Sequence, residues 1–436
     1  MIFLYLLNLA VYPAILTISA IYCTRYFRLH AINPLTVVLG ASLPTTLVTS
    51  LVGPAVILSD GLFNPYFQYA LLVSNVHELL GALTLITLVR YFNEKKVFAR
   101  ILERVSRLGG PAKPSGMRTA SLLFLGLYLI SFVLLAQHSF SVIEWIKDPR
   151  TGYQLHRTGA GQWYALAITS LSTSVVLATV YARSSRNVIL LAPVYLALIY
   201  VLGSKGLVVF FGVYIVVILS IRNYKYLVPI TVLVAVAAGT LVVSNLLSTF
   251  GTFGLDNLAS YADGFSNASR YYQRYFDGSL PLYHGQILFS NLWGLVPRAL
   301  VPNKPFVYGS VLVTEVFYPG AADQTSTPAF ATIEYFADFG WPGVIGSALF
   351  SFSNLFLAVL YATVLPRLRT LRDAGRTAHS RVLVYLFLLL AAPSFLLFLD
   401  FPLNFIVAGF VAAIVELANR LRVTAASDAN APLAAS

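Results

Sequence analysis

"VILLAPVYLALIYVLGSKGLVVFFGVYIVVILSI" (Val188–Ile221) decides how the rest of the chain is threaded. Both arms are apolar, and the one interruption is "GSKG" (Gly203–Gly206), which sets Lys205 between two glycines. As one helix the stretch crosses a membrane once. As two, 188–202 and 207–221, it crosses twice, and every later segment changes side. Fifteen residues at 1.5 Å each cover about 22 Å of a hydrocarbon core of about 30 Å, so each arm is short. The basic connection at 365–382 decides between them, because basic connections stay cytoplasmic and a single helix would put this one outside. The stretch is therefore read as two short spans, with their junction sunk below the outer surface. Short, Gly-interrupted helices are where membrane proteins place polar sites.

The rest of the composition agrees with a membrane. Of 436 residues, 58% are hydrophobic and 11% charged, which excludes an ordinary soluble domain. Eleven apolar segments stand out: 2–22, 33–58, 67–89, 119–137, 163–181, 188–202, 207–221, 227–247, 342–364, 383–399 and 404–420. Alternate connections and the C-terminal tail carry 21 of the 29 Lys and Arg. The net charge of +12 is thus topology and no sign of nucleic-acid binding. The chain is read as an all-α polytopic membrane protein of about eleven transmembrane helices, N-terminus outside and C-terminus inside. Helices 1–8 occupy 1–247, a large, partly helical outer loop occupies 248–341, helices 9–11 occupy 342–420, and 421–436 is a disordered cytoplasmic tail. The first segment lacks the basic leader and small-residue site of a cleaved signal. The single cysteine, Cys23, leaves no disulfide or Cys-based metal site. No HExxH, GxSxG, P-loop, DxD or paired CxxC occurs, so neither a metal nor a nucleotide cofactor is expected.

An outer loop of over ninety residues is uncommon unless it is functional. "NASRYYQRYFDGS" (Asn267–Ser279) places Arg270 and Arg274 four apart, on one helical face, with Tyr271 and Tyr275 on an adjacent stripe. Paired arginines suit phosphate or diphosphate, and tyrosine faces suit sugar rings; the plainer alternative is an amphipathic helix lying on anionic lipid. Twenty of the 94 residues from Ser248 to Trp341 are aromatic, consistent with carbohydrate stacking or with a loop half-dipped in the interface. "NLWGLVPRALVPNKPFVYG" (Asn291–Gly309) has prolines that forbid a regular span, and it presents Arg298 and Lys304. Glu334 and Asp338, four apart, offer a general base or else the means of holding the loop together. Lys205, in its recessed turn, calls for an anionic partner or substrate. His284 is the loop's only histidine. Arg150 and Arg157 lie in a smaller outer loop, 138–162, facing substrate or headgroups. His77 and Glu78 sit deep in the third span, paired with neighbours or facing a cavity.

Three of these stretches resemble the Wzy-type polymerases of bacterial polysaccharide assembly, which are related to the O-antigen ligases. "LGSKG" (Leu202–Gly206) is similar to that family's G-S-R-G turn, with Lys205 in place of arginine. "GLVPRALVPNKPFVYG" (Gly294–Gly309) is similar to its P-R-x-x-x-P-x-K-P segment, and "IEYFADFGWPGVIG" (Ile333–Gly346) to its acid–aromatic–F-G-x-x-G lead into the next span. The Arg-x10-Gly spacing of some members occurs at Arg150–Gly161, Arg274–Gly285 and Arg298–Gly309. The resemblance implies a GT-C-like helical fold in the bacterial inner membrane. It implies a glycosyltransferase that joins undecaprenyl-diphosphate-linked repeat units at the periplasmic face, without metal or nucleotide. The partners implied are the lipid-linked oligosaccharide, membrane lipids, a chain-length regulator and a flippase.

The chemistry fits the residues. Breaking a glycosyl diphosphate builds negative charge on the leaving group, which Lys205, Arg270, Arg274, Arg298 and Lys304 could stabilise. Glu334 or Asp338 could take the acceptor's proton. Tyr271, Tyr275, His284 and Arg150 complete the expected substrate contacts. The alternatives are an O-antigen ligase and a lipid-oligosaccharide flippase or transporter. Ligases carry a histidine before the equivalent of Gly340, whereas "QTSTPAFATIEY" (Gln324–Tyr335) has none. Flippases tend to show internal repeats, and none is found here.

Overall fold

The computed structural model describes residues 2–40, 64–95, 114–139, 141–155, 161–180, 182, 185–203, 207–208, 211–212, 215–216, 263–296, 301, 303–321, 328–367 and 413. Among them every regular element is helical. Four helical stretches are long and apolar enough to cross a membrane: Ile2–Tyr26, Pro65–Glu94, Met117–His138 and Trp341–Ala362. Trp163–Thr179 and Arg186–Val201 are shorter apolar helices. The protein is thus a helical, polytopic membrane protein. The expected spans 227–247 and 383–399, with most of 33–58, 207–221 and 404–420, lie outside the described residues. The chain divides into two compact units, 1–91 with 236–359 and 395–402, and 92–235 with 360–394 and 403–436.

In the first unit, α1 (Ile2–Tyr26) is followed by the short α2 (Pro34–Leu39) and by α3 (Pro65–Glu94). Asn33 starts α2, its Oδ1 accepting from the Leu35 and Thr36 amides. Asn64 starts α3 in the same way, accepting from Tyr66 and Phe67. In both, proline stands at the first helical position, where its missing N–H is not needed. Polar side chains join α1 to α3. Asn8 Nδ2 donates to Gln68 Oε1 and to the Gln68 carbonyl at 3.0 Å each, and Asn75 Nδ2 donates to Asn8 Oδ1 at 2.9 Å. An unsatisfied amide in hydrocarbon is costly, so this closed network favours one register for the pair.

Contacts along α1 and α3 advance together: Asn8 with Gln68 and Asn75, Val11 and Ile15 with Leu79 and Ala82, Tyr26 with Arg90. The two helices run parallel. So do α3 and the span that begins at Trp341, since Tyr69 meets Trp341 and the Gly81 carbonyl meets Asn354.

In the second unit, α4 (Pro114–Ser139), α7 (Gly161–Val180) and α8 (Ser185–Val201) pack through small polar residues. Ser121 and Ser174 each donate to the other's carbonyl, at 3.0 and 2.8 Å, and Ser174 Oγ lies 2.9 Å from the Tyr195 hydroxyl. Two short helices, α5 (Val142–Lys147) and α6 (Pro149–Leu155), cover the end of α8. The buried Trp145 donates its indole N–H to the Val201 carbonyl at 2.8 Å. The chain then turns at Gly203 with φ +75°, and a Cβ there would overlap the Pro149 carbonyl. The first glycine of "GSKG" is therefore required both for its left-handed turn and for close backbone approach. Leu202 and Gly203 are buried, Gly203 against Pro149 and Tyr153 of α6.

Candidate functional site

The site residues that the structure describes gather in the first unit, on a folded portion of the long loop. It holds α9 (Asp263–Phe276), α10 (Gln286–Ser290) continuing into a 3-10 turn (Asn291–Leu295), α11 (Val311–Phe317) and α12 (Glu334–Phe339). Then come α13 (Trp341–Leu349) and α14 (Phe352–Val364). The aromatic wealth of the loop makes its own core. Tyr69 of α3 meets Tyr272, Phe276, Phe336 and Trp341 at centroid distances from 4.9 to 6.0 Å, all edge to face. Each such pair adds about 0.5–1.5 kcal/mol beyond simple burial. The loop is fastened to the start of α3 by rings rather than by charges.

The α9 stripe divides by depth. Tyr271 is fully buried, stacked on Tyr275 at 6.4 Å, so its faces serve the core and not the sugar contact expected of it. Burial holds its hydroxyl above the ordinary tyrosine range. Tyr275 is half-buried. Arg270 and Arg274 are exposed and both lean on the α11 end. Arg270 Nη1 donates to the Tyr318 hydroxyl at 3.1 Å; that hydroxyl donates to Asn267 Oδ1 at 2.6 Å, and Asn267 Nδ2 to the Ala329 carbonyl. The Arg274 guanidinium lies 4.7 Å above the Phe317 ring. Neither pairs with an acid among the described residues. Two cations are thereby oriented without being neutralised, which suits an anionic ligand.

Asp338 is 2% exposed and fully engaged. Its Oδ1 accepts from the Gly285 and Ile287 amides at 3.1 and 3.0 Å, and its Oδ2 from Leu288 at 2.7 Å. In return Tyr283 and His284 donate their amides to the Ala337 and Asp338 carbonyls. The carboxylate thus caps α10 while the 283–284 backbone closes α12. Of its two expected roles, base or holder of the loop, this geometry is that of the holder. His284 adopts φ +50° with its side chain exposed beside this clasp.

Lys304 also differs from expectation. It is 8% exposed, its Nζ donating to the Val296 carbonyl at 3.1 Å and lying 4.7 Å from the Tyr308 ring. The ammonium turns inward because the loop's own carbonyl and ring solvate it. The ends of "NLWGLVPRALVPNKPFVYG" meet: Gly309 donates its amide to Ser290 Oγ at 2.8 Å, and its φ of +61° leaves the Cβ position filled by the Asn291 side chain. The segment is therefore closed at its base in the manner of an Ω loop, and Lys304 ties together its described residues Val296 and Tyr308. Phe289, Leu292, Trp293 and Phe306 stand exposed around it. Arg298, Lys205 and Arg157 lie outside the described residues, as does the Arg150 side chain, although its backbone is part of α6.

Glu334 is different again. Burial pushes its carboxyl up to about 7; its own backbone amide pulls the other way, and the Asp338 charge adds a smaller upward push. It begins α12, which doubles back against α13 through Gly340 (φ +65°). At Gly343 a Cβ would overlap the Tyr335 carbonyl, so only glycine permits this hairpin. The hairpin carries Tyr335 down α3 to His77, whose ring stacks on it at 4.9 Å and 18°. Tyr69 and His77 are eight residues apart, about 12 Å along the helix axis. In the sequence Glu334 lies in the loop and His77 in the span, and no spacing brings the two levels together. Only the deep His77–Glu78 pair signalled it. Among the described residues no three His, Cys, Asp or Glu side chains gather as metal ligands would.

Comparison with known proteins agrees with the resemblance seen in the motifs. The chain is 28% identical over 216 residues to an O-antigen polymerase of Salmonella typhimurium (strain LT2), and equally to one of Salmonella typhi. The match covers 48% of this chain and 52% of each relative, so the chain spans about half the length of the curated relatives it matches. No family model matches the chain. No solved structure matches it either.

Proposed function

We propose that this chain is a polysaccharide polymerase of the bacterial inner membrane, a glycosyltransferase joining undecaprenyl-diphosphate-linked repeat units at the periplasmic face. The observation that carries the reading is the pair Arg270 and Arg274, exposed, fixed by α11 and free of acidic partners among the described residues. Two guanidiniums held in this way receive a diphosphate with little reorganisation and stabilise the charge that grows on it as the glycosyl bond breaks. The similarity to two O-antigen polymerases supports the same chemistry.

In this reading Glu334 is the general base. A carboxyl near 7 ionises at working pH yet remains basic enough to take a hydroxyl proton. As the acceptor oxygen bonds to the anomeric carbon, its proton passes to Glu334. The carbon–oxygen bond to the diphosphate breaks, and the electron pair leaves with the lipid diphosphate. Lys205, Arg298 and Arg150 are proposed as further cations of the cradle, and Tyr275 and His284 as its rim. Asp338, Lys304 and Tyr271 act as positioning residues, through the α10 clasp, the Ω loop and the core. No metal or nucleotide takes part.

The topology proposed is eleven crossings on a GT-C-like plan, N-terminus periplasmic and C-terminus cytoplasmic, with a flippase and a chain-length regulator as partners. The parallel run of α1, α3 and the Trp341 span supports this count. If every other apolar segment crosses once, the shared direction of spans 1, 3 and 9 is the one expected when Val188–Ile221 crosses twice.

The test is elongation. Purified protein incubated with a lipid-diphosphate-linked repeat unit and a chelator should yield a ladder of polymer, and the Arg270→Ala/Arg274→Ala double variant should yield none. Movement of the lipid-linked unit across vesicles without elongation would make the protein a flippase. Transfer to a lipid A core without elongation would make it a ligase.

A further inference from the structure

The second unit has an opening that the polymerase chemistry does not use. Between α4 and α8, with Ala178 of α7 also lining it, lies a groove of about 540 Å³, within the range of ligand sites of about 300–1,000 Å³. The two helices run the same way along it. The Tyr128 hydroxyl of α4 donates to the Leu198 carbonyl at 2.9 Å, and Trp145, just after α4, donates to that of Val201. The polar groups of the groove are divided by place. Ser121 and Tyr195 are buried, and both hydroxyls are engaged by Ser174. Leu122, Leu125, Leu191 and Leu198 offer only hydrocarbon. Arg118 and Asn187 line the groove where α4 and α8 begin. Arg118 is the one charged residue of the lining, and among the described residues it has no hydrogen-bond or acidic partner.

We propose that this groove binds an anionic phospholipid of the cytoplasmic leaflet, with its phosphate on Arg118 and an acyl chain along the leucines. The proposal goes beyond the polymerase reading and does not depend on it. The end of the groove fixes the leaflet. Arg118 closes the basic connection 90–118, and Asn187 follows Arg183 and Arg186 in the connection 182–187, so the positive-inside rule puts this end in the cytoplasm. The chemistry of the polymerase reading lies at the opposite face. The length of the groove fits one leaflet. Arg118 to Leu125 spans about 10 Å of helix axis and Asn187 to Leu198 about 16 Å. Half of the hydrocarbon core is about 15 Å. The lining then selects the occupant. Its deep part has no free hydroxyl to offer, so it takes hydrocarbon, and its rim holds an unneutralised guanidinium, so it takes an anion. An anionic lipid supplies both, and basic pockets between helices on this side of a membrane suit such headgroups. Leu122 and Val194 are exposed at its edge, where a chain can enter sideways from the bilayer.

The experiment is native mass spectrometry of the purified full-length protein, titrated with dioleoyl phosphatidylglycerol or with zwitterionic dioleoyl phosphatidylcholine. Wild type should bind the anionic lipid at least about tenfold more tightly. Arg118→Gln should bring the two lipids within about threefold of each other, and Arg118→Lys should keep most of the preference. Leu122→Trp with Val194→Trp, which narrows the groove and leaves the charge, should weaken both lipids by about tenfold. Arg118→Gln removes no hydrogen bond and the tryptophans replace exposed side chains, so these variants should fold. Inorganic phosphate should not displace the lipid. Equal affinity for the two lipids in wild type would overturn the proposal. So would an undiminished preference in Arg118→Gln, or wild-type binding in the double tryptophan variant, either of which puts the lipid elsewhere. Displacement by inorganic phosphate would overturn it in favour of a simple anion site. A protein that keeps the preference but never elongates a lipid-linked repeat unit would refute the polymerase reading and leave this one standing.

Discussion

The Asp338 carboxylate holds the Leu288 amide at 2.7 Å, joining the helix before the last-described span to the middle of the long loop. With the Gly285 and Ile287 amides it forms a three-donor clasp closed to solvent. Hydrogen bonds to a charged group contribute about 1.5–3 kcal/mol each, and losing the acceptor strands buried amides. Asp338→Ala should therefore open the loop, read as protease cleavage between Tyr283 and Gly309 and a lowered midpoint of thermal unfolding. Asp338→Asn keeps one acceptor oxygen and should fall between Ala and wild type. A resistant, stable Asp338→Ala protein that has lost only activity would instead make Asp338 a catalytic group.

Glu334 should set the pH dependence. Its folded carboxyl ionises near 7, above its ordinary value of 4.5, so base catalysis should rise with pH through about 7. The stability effect has the opposite sign. Between about 4.5 and 7 the folded state holds the proton that the unfolded chain has released, so folding weakens as pH rises across that window. Glu334→Gln should abolish elongation while raising the unfolding midpoint at pH 8 and leaving it near wild type at pH 4. An unchanged kcat–pH profile in an active Glu334→Gln protein would remove Glu334 from the role of base.

The base of the Ω loop gives a separable prediction. Gly309 has φ +61° with the Asn291 side chain where a Cβ would stand, so Gly309→Ala is both strained and crowded. It should destabilise the protein by more than about 1 kcal/mol. Lys304→Met loses the bond to the Val296 carbonyl and the contact with Tyr308 but keeps the stem, and should loosen the same loop by about 1–2 kcal/mol. The two should be less than additive, since both act on one closed loop. Thermal unfolding of the single and double variants measures this directly.

Much of this was legible in the sequence, and what was not has physical reasons. Periodic apolar runs gave the helices because a membrane span is a local property of about twenty residues. The i,i+4 spacing gave the shared face of Arg270 and Arg274. Burial inside the loop was not legible, because Tyr271, Lys304 and Asp338 look the same on paper whether they face ligand or core. Lys304 reads as a presented cation until Val296, eight residues earlier, is found beneath it. The descent of Glu334 to the level of His77 depends on a hairpin at Gly340 and Gly343, and no period reports that two distant segments share a depth.

The parallel arrangement of α3 and the Trp341 span can be tested by cross-linking. In a Cys23→Ser background, where no native cysteine remains, Gly81→Cys with Asn354→Cys should form a bridge on mild oxidation, because the Gly81 carbonyl lies 3.4 Å from Asn354 Nδ2. Tyr69→Cys with Asn354→Cys should not. A bridge only in the second pair would mean that the two helices run antiparallel and that Val188–Ile221 is a single span.

The central claim is that Arg270 and Arg274 grip the lipid diphosphate, and the affinity of the reconstituted protein for undecaprenyl diphosphate tests it most directly. Each charge-assisted contact is worth about 1.5–3 kcal/mol, so Arg270→Ala and Arg274→Ala should each weaken binding by about tenfold or more, and the double variant by at least about a hundredfold. Undiminished affinity in a folded double variant would contradict the account.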